Sequence, residues 1–196
     1  MIVLGLTGSV GMGKTTAAKQ LRRLKVPVFD ADDVVHQLLE KGGKAVAPVE
    51  AAFPHVVFGG EVERARLGAR VFDDISELHR LEAILHPLVW EARDAFLRRA
   101  RRARHQLVVL DLPMLFETGA DHEVDGVVVV SCPAFLQAAR VLARRGMTPG
   151  KLAAIRHRQV PDQQKRRWAD LVIETGIGQR SSLRQLVKMV RSLKSA

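Results

Sequence analysis

The stretch GSVGMGKTT, Gly8 to Thr16, constrains this chain more than any other. Its spacing, Gly8-x-x-x-x-Gly13-Lys14-Thr15, is the Walker A pattern. That pattern carries meaning only between a strand and a helix, and both contexts are present. Ile2-Val3-Leu4-Gly5-Leu6 is a short, apolar run of strand character. After the glycines, Ala17, Ala18, Leu21 and Leu24 recur at helical spacing. Glycine admits backbone angles that turn successive N–H groups inward, so the loop can cradle phosphate oxygens. The helix beginning near Lys14 adds the positive end of its dipole. Gly8, Ser9, Val10, Gly11, Met12, Gly13, Lys14, Thr15 and Thr16 are therefore candidate nucleotide-phosphate ligands. Lys14 can reach the β- and γ-phosphates, and the Thr15 hydroxyl suits a magnesium ion, which takes oxygen ligands.

The other strand candidates are also continuous apolar runs: Val26 to Asp30, Leu107 to Leu112, Gly126 to Cys132, and Leu171 to Ile173. Strands of this kind are buried on both faces, which implies a parallel sheet wrapped by helices. Residues 32–104 supply no convincing core strand and read as a largely helical insertion. Within it, Asp74 and Glu77 form an N-cap signature ahead of Leu78, Leu81 and Leu85. Pro87 is expected to break or open a helix. Helices are also expected from about 135 to 145, with Gly146 as C-cap, from Thr148 to about Arg158, and from Ser182 to Leu193.

Ligands of an open parallel sheet bind beyond the carboxyl ends of its strands. Asp30-Ala31-Asp32-Asp33 directly follows the second strand. A carboxylate there could orient and deprotonate an acceptor hydroxyl, or it could cap the next helix. Asp111, near the end of the third strand, is either a Mg²⁺-holding acid or a turn acid.

Charge and composition narrow the partners. The 196 residues carry 31 Lys and Arg against 21 Asp and Glu, a formal charge of +10. That balance attracts polyanions, and a nucleic-acid binder is one reading of it. Aromatics are only 5%, with no tyrosine, so a base-stacking platform is poorly supplied. The basic run Arg98 to Arg104 falls where a helix should end and complements its dipole. The first apolar run is too short for a signal-peptide core, and no apolar stretch of about 18 residues exists, so no membrane span is expected. The single cysteine, Cys132, excludes an intrachain disulfide and fits a reducing cytoplasm.

Taken together, the motifs resemble those of the dephospho-CoA kinase family. GLTGSVGMGKTT matches its Walker A loop, and VFDADDVVH its Asp-Ala-Asp segment. LEAILHPLV is similar to its His-Pro segment. DLPMLFETG resembles its Pro-Leu-Leu-Phe-Glu signature, with Met114 in place of the first leucine. RHRQVPDQQKRRWADLVIETG resembles its tail, although Ile155 stands where arginine is frequent and Thr175 where asparagine is.

The resemblance implies an α/β, P-loop nucleoside triphosphate hydrolase-like fold of the nucleoside-monophosphate-kinase type. Its five-stranded parallel sheet has strand order 2-3-1-4-5. Residues 1–31 and 105–196 form the nucleotide-binding core, 32–104 an inserted helical CoA-substrate lobe, and 137–166 a lid. It also implies a reaction, in which ATP phosphorylates the ribose 3′-hydroxyl of dephospho-CoA with Mg²⁺ present. Asp32, Lys14 and Arg140 become the catalytic candidates, and Arg140 and Arg144, four apart on one helix face, the lid arginines. His86, Pro87, Leu115, Phe116 and Glu117 become substrate-binding candidates, and Thr15 and Asp111 the metal ligands. Packing alone could equally account for Leu115 and Phe116, and a helix end for His86. A kinase for another small acceptor, such as a nucleoside monophosphate, shares most of these features. A cytoplasmic monomer or weak homo-oligomer is expected, with ATP and dephospho-CoA as partners rather than nucleic acid or membrane.

Overall fold

The computed structural model describes residues 1–71 and 74–194. The central sheet has five strands: β1 (Ile2–Thr7), β2 (Val28–Asp30), β5 (Leu107–Asp111), β6 (Gly126–Ser131) and β7 (Leu171–Glu174), in the order β2-β5-β1-β6-β7. Counting only these five along the chain, the order is the expected 2-3-1-4-5. β1 pairs in parallel with β5 and β6, and β6 in parallel with β7. The four consecutive valines of β6 explain why both faces need cover. Val128 and Val130 join the cluster containing Ala17, Ala18 and Leu21 of α1 (Lys14–Arg23) and Leu186 and Met189 of α9 (Gln179–Lys194). Val127 and Val129 point the other way, against Leu115.

The chain divides into two compact units, Met1–Phe29 with Ala100–Ala196, and Asp30–Arg99. The second has its own core, in which Leu38, Leu39, Val49, Phe53, Leu81 and Leu85 are buried together. It is built from α2 (Ala31–Leu39), α3 (Val46–Ala52), α4 (Arg64–Val71) and most of α5 (Ile75–Arg102). It also contains a small hairpin, β3 (Val57–Phe58) with β4 (Glu61–Val62). Gly59 and Gly60 supply that turn, both at positive φ (61° and 87°), as a two-residue hairpin loop of the mirror-image type requires.

Three local expectations need correction. Pro87 does not break or open a helix; it lies inside the 28-residue α5. Proline costs that helix the bond to the Ala83 carbonyl, but buried Leu81 and Leu85, with Ile84, Leu88 and Val89 packed beside them, hold the helix on both sides of it. The helix expected to reach residue 145 is α6 (Ala134–Leu142), closed by a tight Arg144 N–H to Val141 carbonyl bond of 3.0 Å. Gly146 (φ 78°) turns the chain further on, before α7 (Pro149–Arg158). Arg140 and Arg144 therefore do not share one α-helical face. The Asp74 cap forms as expected: its carboxylate accepts the Ser76 and Glu77 amides at 2.8 and 3.2 Å.

Candidate active site

The loop from Gly8 to Gly13 joins the carboxyl end of β1 to the first turn of α1. Gly11 and Gly13 hold φ of 76° and 96°, the left-handed region that other residues avoid. Gly8 is required for space instead, since a Cβ there would lie 2.4 Å from the Val130 side chain and 2.7 Å from its carbonyl oxygen. The loop is pinned from below by Met12, which is 2% exposed and sits in the same cluster as Cys132. The Met12 N–H closes a turn onto the Ser9 carbonyl at 3.1 Å. Lys14 opens α1, so its amide and its neighbours' amides stand at the positive end of a ten-residue helix.

The Lys14 ammonium reaches across to Asp111 at the end of β5, with Nζ 2.6 Å from Oδ1. The Asp111 side chain is only 3% exposed, so the pair is largely shielded from water. Thr15, one residue along, is exposed. A hydroxyl and a carboxylate are both hard oxygen donors, so Thr15 and Asp111 are a donor set of the kind Mg²⁺ takes.

A second ring of side chains surrounds the loop, and sequence reasoning missed most of it. Gln137 of α6 donates to the Val10 carbonyl at 2.8 Å. Gln159, which caps the end of α7, accepts the Val10 N–H at 3.1 Å. Arg140 donates to the Gly11 carbonyl at 3.4 Å and to the Thr175 carbonyl at 2.9 Å. Thr175 in turn donates its hydroxyl to the Met12 carbonyl at 2.6 Å. The Gln159 position was visible within a motif, but nothing along the chain tied it to Val10, 149 residues away. Gln137 carried no signal at all, being a polar residue on a buried helix position.

The loop after β5 carries Leu115, Phe116 and Glu117. Leu115, expected to bind substrate, is instead fully buried in the cluster with Val127 and Val129, where its side chain packs the core. Phe116 packs on Trp168 in a tilted arrangement, with ring centroids 5.4 Å apart and planes 58° from parallel. Glu117 accepts the Val160 N–H at 2.8 Å and faces Lys165 of α8 (Asp162–Trp168) at 2.8 Å. Lys165 is wholly buried, and the contact is an ion pair rather than an aligned hydrogen bond. This pair ties the loop to the helices that follow β6.

Other candidates lie in the second unit or on the surface. Asp30 caps α2 by accepting the Asp33 N–H at 3.3 Å, and Asp32 and Asp33 occupy the first turn of that helix. His86 lies within α5, stacked on Trp90 with centroids 5.9 Å apart, and Pro87 follows it. Arg144 is exposed beyond the end of α6. Burial pushes the pKa of the Cys132 thiol up, so it stays protonated beside Met12.

A Walker A loop between β1 and α1 of a 2-3-1-4-5 parallel sheet, with its lysine on a strand-end aspartate, defines a P-loop kinase. The dephospho-CoA kinase family model matches residues 2–179, and the chain belongs to that family. Among its relatives, the dephospho-CoA kinase of Paramagnetospirillum magneticum is 63% identical over 166 residues, 85% of this chain and 78% of the relative. That of Mesorhizobium japonicum is 58% identical over 178 residues, 91% of this chain and 89% of the relative. A crystal structure from Thermus thermophilus superposes with a TM-score of 0.83 at 33% identity, covering 97% of this chain and 96% of the other. The dephospho-CoA kinase structure from Campylobacter jejuni shares the fold, with a TM-score of 0.67 at 19% identity over 97% and 96% of the two chains.

Proposed function

We propose that this kinase transfers the γ-phosphoryl group of ATP to the ribose 3′-hydroxyl of dephospho-CoA, giving CoA and ADP, the last step of coenzyme A biosynthesis. The observation that carries the reading is the Walker A loop, with Gly11 and Gly13 in left-handed geometry and Lys14 opening α1. The amides of Gly11, Gly13, Lys14 and Thr15, with the α1 dipole, bind the triphosphate, while those of Val10 and Met12 hold the loop's shape on Gln159 and the Ser9 carbonyl. Lys14 then leaves Asp111 for the β- and γ-phosphates, where charge builds in the transition state. Thr15 and Asp111 would hold Mg²⁺, which neutralises charge on the phosphate oxygens when bound.

Asp32 orients the 3′-hydroxyl and takes its proton. It stands two residues past the end of β2, beyond the carboxyl edge where parallel sheets hold their ligands. Asp30 is left to cap α2. Residues 32–104, with His86 and Pro87, serve as the lobe for the CoA moiety. Phe116 faces the acceptor, Leu115 anchors the loop from the core beneath it, and Glu117 sets that loop through Lys165. Residues 137–166 act as a lid that excludes water, and from it Arg140 and Arg144 meet the nucleotide's phosphates. The charge of +10 suits two polyphosphate substrates. The enzyme works in the cytoplasm as a monomer or weak homo-oligomer.

The test is an acceptor panel with ATP and Mg²⁺. Dephospho-CoA should be the preferred acceptor; turnover of a nucleoside monophosphate with none of dephospho-CoA would reject the reading. Asp32→Asn should lower kcat by a factor of about 10² to 10⁴, the usual worth of a positioned base, while ATP still binds. Full activity in that variant removes Asp32 from the role.

A further inference from the structure

Val10, at the third position of the Walker A loop, has both of its peptide groups held by glutamines from outside the loop. Its N–H donates to Gln159 Oε1 at 3.1 Å, and its carbonyl accepts from Gln137 Nε2 at 2.8 Å. In a trans peptide the C=O and the next N–H point in opposite directions. Holding the Val10 carbonyl toward α6 therefore turns the Gly11 N–H to the other side. The same device recurs two residues on. Thr175 Oγ1 holds the Met12 carbonyl at 2.6 Å, which turns the Gly13 N–H away from β7. Arg140 reaches the Gly11 carbonyl between them. Three successive carbonyls are thus drawn outward, and the amides a phosphate needs are set by what holds their partner oxygens.

Gln137 cannot flip its amide freely. Its Oε1 accepts two bonds from Arg156, from Nε at 3.0 Å and Nη2 at 2.6 Å. A guanidinium offers donors only, so the flipped amide would set NH₂ against N–H. Arg156 of α7 therefore decides that Gln137 presents its NH₂ to Val10. The same helix ends on Gln159, the other holder of Val10. Both bonds to Val10 consequently depend on where α7 sits.

We propose that Gln137, oriented by Arg156, and Gln159 are positioning residues for phosphoryl transfer, which couple the seating of α7 to the aim of the phosphate-binding amides. None of the three needs to touch the nucleotide. The inference rests on the Walker A loop being the ATP site, as in the proposed function, but not on the identity of the acceptor.

The experiment measures binding of an ATP analogue with a non-transferable γ-phosphate, by calorimetry, together with KM for each substrate. Gln159→Met keeps length and removes the acceptor for the Val10 N–H. It should weaken analogue binding about tenfold and raise KM for ATP by a similar factor, as losing one hydrogen bond in a shielded site does. KM for dephospho-CoA should stay within about twofold, and thermal melting should confirm a folded chain. Arg156→Met, at an exposed position, should act in the same direction through Gln137. Wild-type analogue affinity in both folded variants would overturn the proposal, as would equal losses for both substrates. Because the analogue is read without an acceptor, weakened binding in a chain that ignores dephospho-CoA would uphold this inference and reject only the acceptor.

Discussion

Lys14 meets Asp111 at 2.6 Å, with both side chains largely out of solvent. In the proposed function this pair is what phosphate must displace to engage the ammonium. Lys14→Ala should therefore cut kcat/KM for ATP by about a hundredfold or more, measured by coupled ADP release. Gly11 is constrained twice over, by its φ of 76° and by the 2.6 Å that a Cβ would leave to Val141 Cγ2. Gly11→Ala should abolish analogue binding at concentrations that saturate the native enzyme. For Cys132, burial raises the thiol pKa, so the thiolate is scarce at pH 8. Ellman's reagent should modify it slowly in the folded chain at that pH, and quickly in denaturant.

Among the elements, α8 and α5 carry the clearest tests. Lys165 and Glu117 form a pair exposed by 0% and 9% of their side chains. Removing one partner strands a buried charge, which costs roughly 3–5 kcal/mol, whereas replacing both with apolar residues of similar volume is often nearly neutral. Lys165→Met alone should lower the melting temperature more than Lys165→Met with Glu117→Leu. At the start of α5, hydrogen bonds from the Ser76 hydroxyl and the Glu77 and Ser76 amides hold the Asp74 carboxyl below its usual pKa. A depressed carboxylate pKa stabilises the fold above the unfolded value and ceases to do so as pH falls through the folded one. The melting gap between the native chain and Asp74→Ala should hence narrow below about pH 4. Within α5, reading along the chain succeeded at one point and stopped short at another. The Asp74 cap is local and was visible, while Pro87 misled because the packing that carries α5 through it is not local.

Across the whole molecule, the five-stranded sheet and the cluster that α1 and α9 share with it form the first unit's centre, and the second unit has a core of its own. The amides of β1, β5 and β6 should exchange with deuterium only on global unfolding, and those of α7 well before them; mass spectrometry of timed digests would show it. The sheet was legible because its strands are uninterrupted apolar runs. The β3–β4 hairpin was missed within a stretch read as largely helical, because two-residue strands are too short to show a period. Reading along the chain was enough to establish the loop Gly8–Thr16 and the resemblance to the family, which in turn implied the strand order, since the motifs are runs of adjacent residues in fixed succession. It could not reveal the Lys14–Asp111 and Glu117–Lys165 pairs or the two glutamines around Val10. Those contacts span 97, 48 and up to 149 residues, and arise only when parallel strands and their crossover helices bring distant side chains to the same edge of the sheet.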